Sequence, residues 1–216
     1  MRFSKKNIII LVIVVLALAW LGFFSLNQDK PLLNITPRLT QEEITKATEQ
    51  RLKAQEMIQQ EPNNVEKLIH LAILQVSLGE LEEAKQTYLR AVALEPENYI
   101  PYLNLGTVLS ENGYAKKAEK VLRQGLKKIP QGAAMWQILL DTYQYGMKKN
   151  QEQMQALFQE ALSATGRDLN LMLRIARYYE ENKKVPAAIP YWQEVLQKMP
   201  DNEAVRARLK ELKVLP

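Results

Sequence analysis

One spacing recurs along most of this 216-residue chain. Pro62, Pro96 and Pro130 follow one another at intervals of 34 residues, and Pro200 follows Pro130 by 70. A fixed interval of this length indicates a tandem repeat rather than a chain of unrelated segments. The repeat restricts the fold to an array in which each unit packs against its neighbours.

The same interval connects five rows of side chains between the prolines. The rows are Leu71, Leu105, Leu139 and Ile175; Ala72, Gly106, Leu140 and Ala176; Ala84, Ala118, Met154 and Ala188; Tyr88, Leu122, Phe158 and Trp192; and Ala91, Gly125, Ala161 and Val195. Small residues in the second and third rows allow two helices to approach closely, and the large residues of the fourth row fill the space to the next pair. The rows therefore predict that each unit is a pair of antiparallel helices, which bury their apolar faces against neighbouring units.

These rows resemble the tetratricopeptide-repeat (TPR) family. The resemblance implies an all-α fold, a right-handed TPR helical solenoid of about four repeats, with units at residues 65–98, 99–132, 133–168 and 169–202. It places Gly79 and Gly113 at the turn between the two helices of a repeat. It also implies a protein that binds a protein or peptide segment and has no catalytic site of its own.

Two repeats depart from the pattern. The third contains two extra residues, which we place near Lys148 and Lys149, and Asn150 followed by Gln153 predicts a capped start of its second helix. In the fourth, Pro190 falls within the expected second helix and predicts a kink or a late start.

A helix is predicted on each side of the repeats. Thr40 and Glu43 form a capping-box pattern that opens an N-terminal helix at residues 40–61. Residues 203–213 have apolar side chains on one face and charged side chains on the other, which predicts a C-terminal capping helix that keeps the end of the array soluble.

The N-terminal segment predicts a transmembrane helix. Residues 7–28 carry no charge, and as a helix they reach about 33 Å, enough to cross the hydrocarbon core. Arg2, Lys5 and Lys6 precede them, so residues 1–6 are predicted to be a cytoplasmic basic tail. Residues 29–39 contain two prolines and predict a linker. We expect a single-pass protein of the inner (cytoplasmic) membrane with its TPR domain outside the cytoplasm.

A cleaved signal peptide is the alternative. Ala17, Leu18 and Ala19 fit the small-x-small pattern of a cleavage site. Cleavage there would leave the apolar residues Trp20 to Phe24 at the new N-terminus, whereas a signal peptide normally becomes polar before its cut. We therefore favour the uncleaved anchor.

Catalytic and cofactor-binding patterns are absent from the sequence. The chain has no cysteine and one histidine, His70, so it offers neither a thiol nucleophile nor a second imidazole for a metal site. Its eight glycines form no phosphate-binding loop. The net charge is +5, but the first six residues supply three of those charges, and the rest of the chain is nearly neutral. We expect no enzyme activity, cofactor, metal, nucleic acid or small-molecule substrate.

The concave side of the predicted solenoid is the candidate binding site. In TPR proteins it is lined by fixed positions of the first helix of each repeat. The positions predicted to bind a partner are Ile69, His70, Ile73, Ile100, Leu103, Asn104, Thr107, Gln137, Asp141, Arg174 and Arg177, with Val76 and Ile138 on the same face. Contact with the helix at residues 40–61 is the alternative explanation for the apolar members of this set.

The layout of anchor and repeats is similar to that of TPR subunits in bacterial cytochrome c maturation. This similarity implies a scaffold or adaptor that presents a partner segment to a membrane complex. Two alternatives stay open: an assembly factor for pili or secretion machinery, and a non-catalytic regulatory subunit of a membrane enzyme.

Overall fold

The computed structural model describes residues 39–215, and all of its regular structure there is helical. The helices are α1 Gln41–Gln60, α2 Val65–Ser77, α3 Leu81–Leu94, α4 Tyr99–Glu111, α5 Ala115–Lys128, α6 Ala133–Asp141, α7 Gln151–Ala164, α8 Leu169–Glu181, α9 Val185–Lys198 and α10 Glu203–Glu211. No helix within residues 39–215 is long and apolar enough to span a bilayer. The predicted span at residues 7–28 lies outside the described residues.

Successive helices pack as antiparallel pairs, which confirms the predicted all-helical TPR solenoid. The pairs are α2 with α3, α4 with α5, α6 with α7 and α8 with α9. We call the first helix of each pair its A helix and the second its B helix. α1 packs on α2 in the position of a preceding B helix, and α10 packs on α9. The capping box predicted at Thr40 and Glu43 is present at the start of α1.

All residues of the five sequence rows are buried. The small members mark close approaches between helices. A Cβ atom added to Gly106 would lie 2.4 Å from the Leu122 Cδ2 atom, far inside a normal contact distance. The interval of 34 residues therefore reports the packing between the A and B helices of each repeat.

The third repeat accommodates its two extra residues in two places. After α6 the chain continues through a π-helical turn, Thr142–Gly146, which lengthens the A helix by one residue relative to α4. The following loop, residues 147–150, is one residue longer than the loop between α4 and α5. The predicted cap of Asn150 with Gln153 is confirmed. α6 and α7 pack less closely than the other pairs, with Leu140 and Met154 fully buried between the helices.

Pro190 lies inside an uninterrupted helix. α9 begins at Val185, with Pro186 in its first turn, so the expectation of a late start was wrong. Pro190 has no N–H to donate to the carbonyl of Pro186. Both prolines are exposed, so water can satisfy that carbonyl.

The turns between A and B helices use left-handed backbone. Gly79 and Gly113 have φ values of 79° and 80°. Lysine takes this conformation in the later turns: Lys148 at 51°, Lys183 at 58° and, after α10, Lys213 at 57°. A side chain at such a position costs about 1–2 kcal/mol, which glycine avoids.

Hydrogen bonds join the carboxyl-terminal ends of neighbouring A helices. The hydroxyl oxygens of Ser110 and Thr142 lie 2.8 Å apart. Gln144 Nε2 and the Tyr145 hydroxyl both donate to Glu181 Oε2, at 2.9 and 3.0 Å. The A–B turns of repeats two, three and four therefore lie side by side along one edge of the array.

Candidate partner-binding groove

A cavity of about 410 Å³ lies between the A helices of the first three repeats. Its walls are Ile73 and Val76 of α2, Tyr88 of α3, Leu103, Asn104, Thr107 and Val108 of α4, and Ala134, Gln137 and Ile138 of α6. Helical periodicity accounts for this set, because residues three and four apart lie on the same face of a helix. The open, largely apolar cavity is the site most suited to a ligand on the concave face.

Exposed apolar side chains surround this cavity. Ile73 is 47% exposed in its wall, and Ile100, which begins the same face of α4, is 37% exposed. Ile69 lies one turn before Ile73 and is half-buried against a cluster that includes Ala54 and Ile58 of α1. α1 therefore helps to cover Ile69, whereas Ile73 stays open. Contact with α1 thus explains the apolar side chain of Ile69 but not that of Ile73.

Tyr88 forms the polar base of the cavity. Its side chain is 1% exposed, and its hydroxyl is hydrogen bonded to the Asn104 side chain. Burial raises the pKa of Tyr88 to about 12, and the bond with Asn104 opposes part of that rise. The Thr107 hydroxyl donates to the backbone oxygen of Leu103 at 2.8 Å, so it too is satisfied within the chain.

The raised pKa of Tyr88 predicts a loss of stability in alkali. Between pH 10 and about 12 the unfolded chain releases a proton that the folded chain retains. The contribution is therefore complete below pH 10 and is lost as pH rises toward 12. At about pH 11 the folded protein has lost roughly 1 kcal/mol of this stabilisation. Urea unfolding of the wild type and Tyr88→Phe at several pH values measures it: the variant should lose less stability in alkali, and equal losses would contradict the assignment.

The structure brings together only part of the predicted site. Ile73, Leu103, Asn104, Thr107 and Gln137 line the cavity. His70 on α2 and Ile100 on α4 are exposed and are not part of its lining. No group of acidic, histidine or cysteine side chains suited to a metal ion occurs among residues 39–215.

Arg174 is hydrogen bonded to side chains of the preceding repeat. Its Nε atom donates to Asp141 Oδ1 at 2.8 Å, and its Nη2 atom donates to Gln144 Oε1 at 2.6 Å. The guanidinium group also lies 5.7 Å from the centre of the Tyr145 ring. Two predicted site residues, Asp141 and Arg174, thus pair with each other and join repeats three and four.

Arg177 lies apart from the first cavity. It is exposed on α8 and lines a second cavity of about 430 Å³, together with Leu173, Glu180, Trp192 and Arg208. Glu180 already accepts two hydrogen bonds there, from Trp192 Nε1 at 2.9 Å and from Arg208 Nε at 3.0 Å. The role of Arg177 in partner binding stays a prediction.

Sequence reasoning missed three residues of the first cavity. Tyr88 was assigned to the core row, yet it reaches from a B helix to the floor of the groove. Ala134 stands 34 residues after Ile100, so the repeat interval itself could have identified it. Val108 lies beside Thr107, and no sequence signal marks it.

The fold and the groove define a helical repeat protein of the TPR type. TPR repeats in general bind protein or peptide partners. Residues 74–113, from α2 to the end of α4, match the TPR repeat family. No curated protein matches the chain by sequence.

Several solved structures are similar to this chain. MamA from Desulfovibrio magneticus RS-1 has a TM-score of 0.53 at 18% identity, over 72% of this chain and 88% of that one. The thermophilic TPR protein TTC0263 from Thermus thermophilus has a TM-score of 0.52 at 18% identity, over 81% and 94%. A tetratricopeptide-repeat protein from Parabacteroides merdae ATCC 43184 has a TM-score of 0.53 at 17% identity, over 76% and 67%. At these identities the likeness establishes the TPR fold.

Proposed function

We propose that this protein is a membrane-anchored, non-catalytic TPR scaffold that binds a segment of a partner protein in its concave groove. The observation that carries the proposal is the cavity between α2, α4 and α6, with the half-exposed Ile73 in its wall. An open cavity lined largely by apolar side chains, with a few amide groups among them, suits a surface that a ligand covers. The uncharged residues 7–28 and the basic residues before them support the anchor.

The chemistry of the cavity indicates what kind of segment binds. Ile73, Val76, Leu103 and Ile138 present apolar surface, while Asn104 and Gln137 offer amide groups. A short apolar stretch, as one face of a helix or as an extended strand, fits this lining. Its backbone would bond to the amides, and its side chains would displace water from the isoleucine and leucine residues.

The proposed setting is the assembly of an envelope or cytochrome c maturation complex at the inner membrane. Its support is the order of the chain, an anchor followed by repeats. The alternatives are pilus or secretion assembly and a regulatory subunit of a membrane enzyme. Purification of the full chain from membranes distinguishes them, since a haem lyase, a secretin or a catalytic subunit would accompany it.

A displayed peptide library tests the groove. We expect the full chain to select peptides with a short apolar stretch, and Ile73→Glu to weaken their binding at least about tenfold, because it places a charge in the apolar wall. Leu89→Glu is the matched control, since Leu89 is 36% exposed on α3 outside the cavity. Both variants should keep the wild-type melting temperature. Equal binding by Ile73→Glu and the wild type would refute this site.

A further inference from the structure

Three lysine pairs lie on the edge formed by the A–B turns. They are Lys116 and Lys117, Lys148 and Lys149, and Lys183 and Lys184. Each pair occupies the turn or the first helical turn after it, in repeats two, three and four. The bonds between Ser110 and Thr142, and from Gln144 and Tyr145 to Glu181, hold these turns side by side. We call this set the lysine edge.

Few carboxylates accompany the lysine edge. Glu111, Glu152, Glu180 and Glu181 are the acidic residues of the same turns and the helix ends beside them, against six lysines, and Glu180 is paired with Arg208 at 3.0 Å. The first repeat differs, since Glu80, Glu82 and Glu83 stand at its turn. There Glu80 pairs with Arg51 at 3.6 Å, and Glu82 pairs with Lys85 at 3.0 Å. The positive charge therefore belongs to repeats two to four.

Two of these lysines have a backbone conformation that favours glycine. Lys148 and Lys183 adopt the left-handed conformation that Gly79 and Gly113 adopt in the earlier turns. Glycine would fold there with less strain. Glycine can therefore replace Lys148 and Lys183 and remove their charges without adding backbone strain.

The lysines also border an open cavity. Lys116, Lys117 and Lys149 line a space of about 510 Å³ between the turns of repeats two and three, beside Tyr114 and Met147. The Lys117 ammonium lies 5.7 Å from the centre of the Tyr114 ring, and the Lys149 ammonium lies 5.5 Å from that of Tyr143. Two of the lysines that line this cavity are therefore each held over an aromatic ring.

The described chain begins on the side of the lysine edge. α1 is antiparallel to α2, so Gln41 lies toward the end of α2 that leads into the first A–B turn. Arg51 pairs with Glu80 of that turn, which leaves about 15 Å of α1 beyond it. The uncharged residues 7–28 precede α1 by a short linker in the sequence. The first described helix therefore begins on the side of the array that carries the lysine edge.

We propose that the lysine edge binds the anionic headgroups of the membrane in which the chain is anchored. The inference rests on the anchor proposed above and is independent of the groove. The cations are spread along one edge over three repeats, which suits an extended anionic surface. A short acidic protein segment would be held better by cations that converge on one point. In this arrangement the A–B turns face the bilayer. The concave groove opens parallel to the lipid surface and is accessible to partners in the same membrane.

Acylation of lysines in the full chain tests the proposal. The chain is reconstituted into vesicles of neutral phosphatidylcholine, or of phosphatidylcholine with about one-third phosphatidylglycerol, and the rate at each lysine is measured by mass spectrometry. We expect Lys116, Lys148 and Lys183 to react roughly threefold more slowly on the anionic vesicles, and this difference to disappear at about 0.5 M salt. Lys127, Lys128 and Lys198, at the ends of B helices on the opposite edge, are internal controls and should react equally on both.

Two double variants separate charge from folding. Lys148→Gly with Lys183→Gly removes two cations and two strained residues, so it should preserve or raise the melting temperature while reducing the protection of Lys116. Lys127→Gln with Lys198→Gln changes the net charge equally and should leave that protection intact. Equal protection of Lys116 in the glycine variant and the wild type would overturn the proposal.

Three further results would overturn it at different steps. Equal acylation of the lysine edge on neutral and anionic vesicles would exclude headgroup binding. Protection by soluble poly-glutamate, but not by anionic vesicles, would assign the edge to an acidic protein. A full chain that does not float with neutral vesicles would lack the anchor on which the inference rests, and it would leave the groove test unaffected.

Discussion

Phe158→Ala is expected to lower the free energy of unfolding by about 4 kcal/mol. Phe158 is 1% exposed on α7, and its ring meets those of Tyr178 and Tyr179 edge-on, with centroids 5.0 and 5.8 Å apart. Truncation removes these aromatic contacts and leaves a cavity between the third and fourth repeats, which the neighbouring rings can fill only in part.

The same substitution should also separate the array into two unfolding units. In a linear array each repeat is stabilised by its neighbours, so a weakened contact between repeats three and four lets the last repeat melt first. Circular dichroism during heating should show two transitions instead of one. Phe158→Leu is the control, because it retains most of the volume and should cost roughly 1 kcal/mol. A single transition with a loss below about 1 kcal/mol would contradict this account of the core.

Gly125→Leu is expected to lower the free energy of unfolding by about 3 kcal/mol. A Cβ atom at this position of α5 would lie 2.7 Å from Met135 Sδ and 2.8 Å from Tyr102 Cβ. The methionine can rotate away, but Tyr102 Cβ is fixed to the backbone of α4, so the two helices must separate. The gain in helix propensity, about 1 kcal/mol, is too small to offset this strain.

Urea unfolding of Gly125→Leu alongside Gln124→Leu measures the strain directly. Gln124 is the preceding residue of the same helix and is exposed, so leucine there should change the stability by less than about 0.5 kcal/mol. Similar stabilities of the two variants would mean that α4 and α5 are not in contact at Gly125.

The sequence predicts the core of this protein well because the core repeats. Tyr88, Leu122, Phe158 and Trp192 share one position in successive units, and the fold places each of them in the interior. A periodic pattern averages over several copies, so an unusual residue such as Leu140 does not obscure it. The capped helix starts at Thr40 and Asn150 were equally predictable, since a cap is formed within four residues.

The candidate site is less predictable because its contacts do not repeat. Asp141 and Arg174 each occupy a position that faces the groove, but nothing in the sequence indicates that they bond to one another across two repeats. Tyr88 satisfies the rule for a core residue and also forms the base of the cavity, a double role that the pattern does not reveal. The transmembrane helix at residues 7–28 stays a prediction from composition.

The π-helical turn at Thr142–Gly146 limits how far this array can be rearranged by engineering. The first and second repeats share one length and simple turns, so a copy of the first repeat can be added between α3 and α4 without a change of spacing. The third repeat is specific to its place: Thr142 contacts Ser110 of the second repeat, and Tyr145 bonds to Glu181 of the fourth. In a tandem duplication of the third repeat, each copy would keep only one of these two partners. Repeats can therefore be added at the amino-terminal end, whereas the second, third and fourth repeats have to be kept together in an engineered array.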